Sequence, residues 1–108
     1  MSIDNQNELD IFEIISHGGN ARSLAYEALA AAEEFNFQEA ENLIKQAEEE
    51  LNLAHKTQTK LIQAEINGNK TEKSLLMIHA QDHLMTAISE QKLILHMIRI
   101  VKKLAPKE

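Results

Sequence analysis

Apolar residues recur every three or four positions along nearly the whole chain, and two short polar breaks divide them into three helices. The first series starts at Asp10 and runs through Ile11, Phe12, Ile14 and Ile15, then Leu24, Ala25, Ala28, Leu29 and Ala32. Gly18-Gly19 interrupts it. Each glycine weakens a helix by about 1 kcal/mol, so the pair predicts a kink, a close helix contact, or a fresh start capped by Asn20. Glu34-Phe35-Asn36 is the first turn, with Asn36 as N-cap and Glu39 spaced as in a capping box. The second helix is expected from Phe37 to about Ile66, with Ala40, Leu43, Ile44, Ala47, Leu51, Ala54, Leu61 and Ile62 inward. Its outer face, Glu41, Lys45, Glu48, Glu49 and Glu50, reads as a solvated charge run. Asn67-Gly68-Asn69 suits the left-handed backbone that ends helices. The third helix is expected from near Thr71 to about Lys103, stopped by Ala105-Pro106, with Leu93, Met97, Ile100, Val101 and Leu104 facing in. Turns this short force antiparallel neighbours, so the fold class is all-α, an up-down-up three-helix bundle. Residues 1–9 are polar and read as a flexible N-terminal segment; residues 10–108 form a single domain.

One stretch breaks the ordinary pattern. Ser74 to Ser89, SLLMIHAQDHLMTAIS, contains no Lys, Arg or Glu. On a helix, His79, Asp82, His83 and Thr86 fall in one polar stripe about 100° wide, and apolar side chains fill most of the rest. A surface helix normally has the opposite proportions. The polar stripe is therefore expected to face protein, where unpaired charges cost several kcal/mol and titratable groups are candidates for function. A helix apolar over about 200° also needs more cover than two neighbours supply, which predicts self-association.

Composition narrows the chemistry. A formal charge of −6 leaves no basic face for phosphate backbones, so nucleic acid is excluded as a partner. There are no cysteines, hence neither a disulfide framework nor a thiol nucleophile. No apolar run approaches the roughly 20 residues that span a bilayer, and MSIDNQNELD lacks the regions of a signal peptide, which points to the cytoplasm. From pattern alone His79 is either a histidine satisfied inside a bundle or a nucleophile. His83, one turn later, pairs with it as half of a metal site, but position 80 is Ala where HExxH has Glu, and no third ligand stands out. A supporting role or a core position remains for His83. Met77, Met85 and Met97 read as core, and His17, His55 and His96 as surface or packing residues.

The wording of three blocks is specific. HAQDHLMTA (His79 to Ala87), HGGNARSLAYEAL (His17 to Leu29) and FQEAENLIKQAEEELNLAHKTQT (Phe37 to Thr59) together resemble the enzyme IIA component of the lactose/cellobiose class of the bacterial sugar phosphotransferase system. The likeness covers roughly Ile11 to Lys103, and departs where Gly18 stands in a place relatives often fill with Ala. It implies a phosphoryl carrier that takes phosphate from HPr onto His79. The group then passes to a cysteine of a cognate IIB unit, serving the membrane permease IIC indirectly, for a sugar of the cellobiose, chitobiose or lactose type. His83 and Gln81 are expected to support the site by hydrogen bonding, with Gln81 a better candidate than Thr86. The resemblance also implies a homotrimer whose third helices meet at a threefold axis. There three copies of Asp82 would share one Mg²⁺, since carboxylate oxygens suit a hard cation. The rival reading is a non-catalytic helical interaction module or a small metal-binding bundle.

Overall fold

The computed structural model describes residues 2–68 and 74–107, with side chains from residue 6 onward. Three α-helices follow one another: α1 (Ser2–Glu33), α2 (Phe37–Ile66) and α3 (Leu75–Leu104). They lie side by side in a rod of 61 × 20 × 19 Å. Among the described residues no helix is long and apolar enough to cross a membrane.

Each boundary has a local cause. α1 begins at Ser2, upstream of Asp10 where the apolar series starts, and it runs unbroken through Gly18-Gly19. The glycines mark a close contact, with neither a kink nor a fresh start capped by Asn20. At the end of α1 the left-handed residue is Phe35, with φ 62°. Phe35 N–H donates to the Ala32 carbonyl at 2.9 Å and Asn36 N–H to the Ala31 carbonyl at 2.9 Å, closing the last turn. Asn36 then caps α2, its side chain accepting from Glu39 N–H at 3.3 Å. Only that half of the capping box forms, because Asn36 N–H is already used by α1. Gly68 takes φ 92° after α2, as a helix-ending glycine should; Asn69 and Thr71 lie outside the described residues. α3 starts at Leu75, later than Thr71, because Ser74 is its cap and accepts from Met77 N–H at 3.0 Å. Ala105 is extended before Pro106, which ends the helix.

The core is built on alanine. Toward one end Ala25, Ala28 and Ala32 of α1 meet Ala40, Ile44 and Ala47 of α2 and Ile94 of α3. Toward the other, Ile11 and Ile14 pack with Ala54, Leu61, Ala80 and Leu84. Small side chains let α1 lie close to both partners, so α1 is the central helix and α2 touches α3 far less. Five inward assignments change within one chain. Ile62 of α2 is exposed, and Thr57 and Gln58 are buried instead. In the later half of α3, Ile94 is buried whereas Leu93, Met97, Ile100 and Leu104 are exposed. Those four belong to an apolar strip on the open side of α3 that also holds Leu75, Ile78 and Met85. The periodicity was that of a buried face, and a single chain does not supply what covers it.

Candidate functional site

The site lies on the first half of α3, along its seam with α1. α3 carries His79, Asp82, His83 and Thr86 at spacings of three and four, so successive turns present them on adjoining parts of one surface. The stripe is split by α1. His83 turns toward α1 and is half-buried, while His79 and Asp82 are exposed.

The His83 ring packs over the glycine pair. A Cβ at Gly18 would sit 3.4 Å from His83 Cδ2, and one at Gly19 would sit 3.4 Å from His83 Nε2. With no Cβ at either position the imidazole lies directly against the α1 backbone. Burial is the main cause that lowers the His83 pKa below the usual 6.5, followed by the positive charges of Arg22 and His79. A hydrogen bond to the Ile15 carbonyl and the Glu90 carboxylate oppose this. His83 is thus held toward its neutral form.

Arg22, on α1 three residues after Gly19, fills the rest of the seam. One Nη donates to His83 Nδ1 at 3.1 Å and the other to the His83 carbonyl at 3.3 Å and to the Thr86 hydroxyl. Arg22 Nε lies 3.2 Å from a Glu90 carboxylate oxygen. That N–H is buried without being directed at an acceptor, so the contact is Coulombic. Glu90 also raises the pKa of the exposed Tyr26 hydroxyl, chiefly by hydrogen bonding to it and then by charge. Thr86 spends its own hydroxyl proton on the backbone of α3, with the Asp82 carbonyl 2.9 Å away. Little in the sequence marks Arg22, an ordinary helix residue 61 positions from its target. The one signal available was its spacing from the glycines, which puts all three on one face of α1.

His79 stacks on His83, with ring centroids 6.0 Å apart and planes 16° from parallel. On its other side it borders a hollow of about 670 Å³ lined by Leu75, Leu76, Ile78 and Asp82. An imidazole and a carboxylate thus share an apolar depression. Gln81 points elsewhere. About 200° around the helix from His79, its Oε1 accepts from Gln58 Nε2 of α2, so within one chain it braces α3 against α2.

Other polar groups are used structurally. His17 Nδ1 lies 2.6 Å from Glu50, which also accepts from Asn20 Nδ2 at 3.0 Å, so Glu50 leaves the solvated run. His55 and His96 are exposed. Asp10 is buried and bonded by Gln6 Nε2 at 3.1 Å, with Lys60 Nζ at 3.6 Å. Among the described residues no group of three or more His, Cys, Asp or Glu is placed to hold a metal. One copy of Asp82 does not make a Mg²⁺ site.

Comparison with known proteins agrees with the residues. The lichenan-specific phosphotransferase enzyme IIA component of Bacillus subtilis is 47% identical over 102 residues, covering 94% of this chain and 93% of that protein. The PTS cellobiose-specific enzyme IIA from Bacillus anthracis superposes with a TM-score of 0.88 at 48% identity, over 90% of this chain and 89% of the other. The IIA(Chitobiose) component, solved in complex with HPr, superposes with a TM-score of 0.80 at 39% identity, over 90% and 94% of the two chains. The family model for the PTS lactose/cellobiose-specific IIA subunit matches residues 9–102, and this chain belongs to that family of phosphotransferase relay proteins.

Proposed function

We propose that this IIA chain carries its phosphoryl group on His79, received from the phosphohistidine of HPr and delivered to a cysteine of a IIB unit. The observation that carries this reading is the pose of His79, exposed at the edge of an apolar hollow and backed by an imidazole that burial, and then the charge of Arg22, hold toward its neutral form. In the step itself, a lone pair on one bare nitrogen of His79 attacks phosphorus as the P–N bond to the donor breaks. The proton on the other nitrogen stays in place. The resulting phosphoimidazole is labile, so a IIB thiolate can take the group and leave His79 neutral again. Phosphoryl transfer asks little covalent chemistry of the protein beyond in-line presentation, and an exposed ring with a rigid back provides that. Leu76, beside His79 and off the strip that holds Leu75 and Ile78, provides apolar surface on which a partner can dock and exclude water.

The same reading takes the site to a trimer working in the cytoplasm beside a membrane permease for a disaccharide of the cellobiose, chitobiose or lactose type. The exposed apolar strip of α3 supports self-association. With three such strips at an axis, Asp82, which lies among them, would meet its copies, and a Mg²⁺ bound there would neutralise the three carboxylates. The test is reconstitution: phosphoenolpyruvate, enzyme I and HPr should give the wild-type chain an acid-labile gain of one phosphoryl group. Adding a IIB unit should discharge it. A chain that stays unmodified while HPr is phosphorylated overturns the reading.

A further inference from the structure

Arg22 holds α3 by several different contacts within two turns. It donates to the ring and the carbonyl of His83 and to the hydroxyl of Thr86, and its Nε meets the carboxylate of Glu90. A guanidinium has donors only. The His83 nitrogen facing it, Nδ1, must therefore be the bare one, and the neutral ring keeps its proton on Nε2. That nitrogen lies on the side of Gly18 and Gly19, against the α1 backbone. Turning the ring over would place a C–H or an N–H against the guanidinium, so orientation and tautomer are fixed together. Both nitrogens then face α1, Nδ1 toward Arg22 and Nε2 toward the glycines, which leaves His83 a flat face to offer. His79 lies against that face at 6.0 Å.

We propose that Arg22 is a positioning residue for phosphoryl acceptance: it fixes the tautomer and orientation of His83, and through that ring the pose of His79. This rests on His79 being the acceptor. Arg22 itself touches neither His79 nor the hollow beside it among the contacts described. Glu90 holds the guanidinium in place from further along α3.

The test combines a spectroscopic readout with a pair of rates. In ¹⁵N-labelled wild type, His83 should show the pattern of a neutral ring protonated at Nε2. An Nδ1–H tautomer there overturns the proposal without any substitution. Arg22→Lys keeps the charge and most of the stem but loses the fork, so the helices should persist by circular dichroism while His83 becomes a mixture of tautomers. The initial rate of phosphoryl acceptance from phospho-HPr should then fall about ten- to a hundredfold, the scale of a small misplacement at a reacting centre. In a His83→Ala background the same Arg22→Lys change should alter the rate less than about twofold, because no ring remains to be positioned. An equal loss in both backgrounds means that Arg22 acts by another route and overturns the proposal. A wild-type chain that takes no phosphoryl group removes the acceptor reading beneath it, a failure separate from the tautomer result.

Discussion

His83 is a histidine that the fold holds neutral, and this has a consequence for stability. Its pKa lies below the ordinary 6.5, through burial first and then through the charges of Arg22 and His79; the groups facing it are Arg22 and the Ile15 carbonyl from α1, and His79 and Glu90 from α3. As pH falls, the unfolded chain takes up this proton before the folded one does. The stability held by a neutral His83 is therefore complete above about pH 6.5 and is lost as pH drops from there through the folded value. Melting curves should show wild type losing stability faster than His83→Gln across that window; parallel curves would mean that the ring is not held neutral. At this scale much of the site could be read from the sequence. His79, Asp82 and His83 stand out because they are polar in a stretch without Lys, Arg or Glu. Arg22 could not be read this way, because a guanidinium amid Asn20, Ser23 and Glu27 looks like any solvated residue until α3 is laid beside it.

Gly18 and Gly19 of α1 face the His83 ring of α3, and their contacts differ from those of flexible linker glycines. A Cβ at Gly18 meets the edge of the His83 ring at 3.4 Å and the Leu84 Cα at 3.9 Å, both ordinary contact distances. Gly18→Ala should gain helix propensity of up to about 1 kcal/mol with little steric penalty, leaving the thermal midpoint equal or higher. Gly18→Leu should lower it by forcing the ring and α3 away. If both variants melt like wild type, the glycines are not the seat of the ring. The helices themselves were legible, since 3.6-residue periodicity, the Asn36 cap and the Pro106 stop are local signals. The sense of a face was not. Leu93, Ile100 and Leu104 carry inward periodicity yet are exposed in one chain, because a pattern says that a face will be covered and not by which neighbour. The left-handed Phe35 was equally hidden, as Asn36 beside it has the better intrinsic preference for that backbone.

A rod 61 Å long and 20 Å wide leaves every helix within reach of solvent, and on α3 much of that exposed surface is apolar. Closing it against two further copies predicts a trimer of about 37 kDa, three times the 12.2 kDa chain. Sedimentation showing monomer at micromolar concentration would remove this part of the account. If Asp82 lies on the axis, three carboxylates repel one another by several kcal/mol unless a cation or protons intervene. Asp82→Leu should therefore give a trimer that survives chelation and melts higher, since it replaces repulsion by apolar area worth about 1 to 2 kcal/mol per chain. Dissociation of that variant even with Mg²⁺ present would end the axial-metal reading.

All of these expectations converge on one imidazole. The most direct measurement is the site of the label after brief incubation with phospho-HPr, mapped by fragmenting the intact protein at alkaline pH, where phosphohistidine survives. The phosphoryl group should lie on His79 alone, with none on a His79→Ala variant whose helicity matches wild type. A label on His83 or any other residue, or full labelling of His79→Ala, would contradict this assignment.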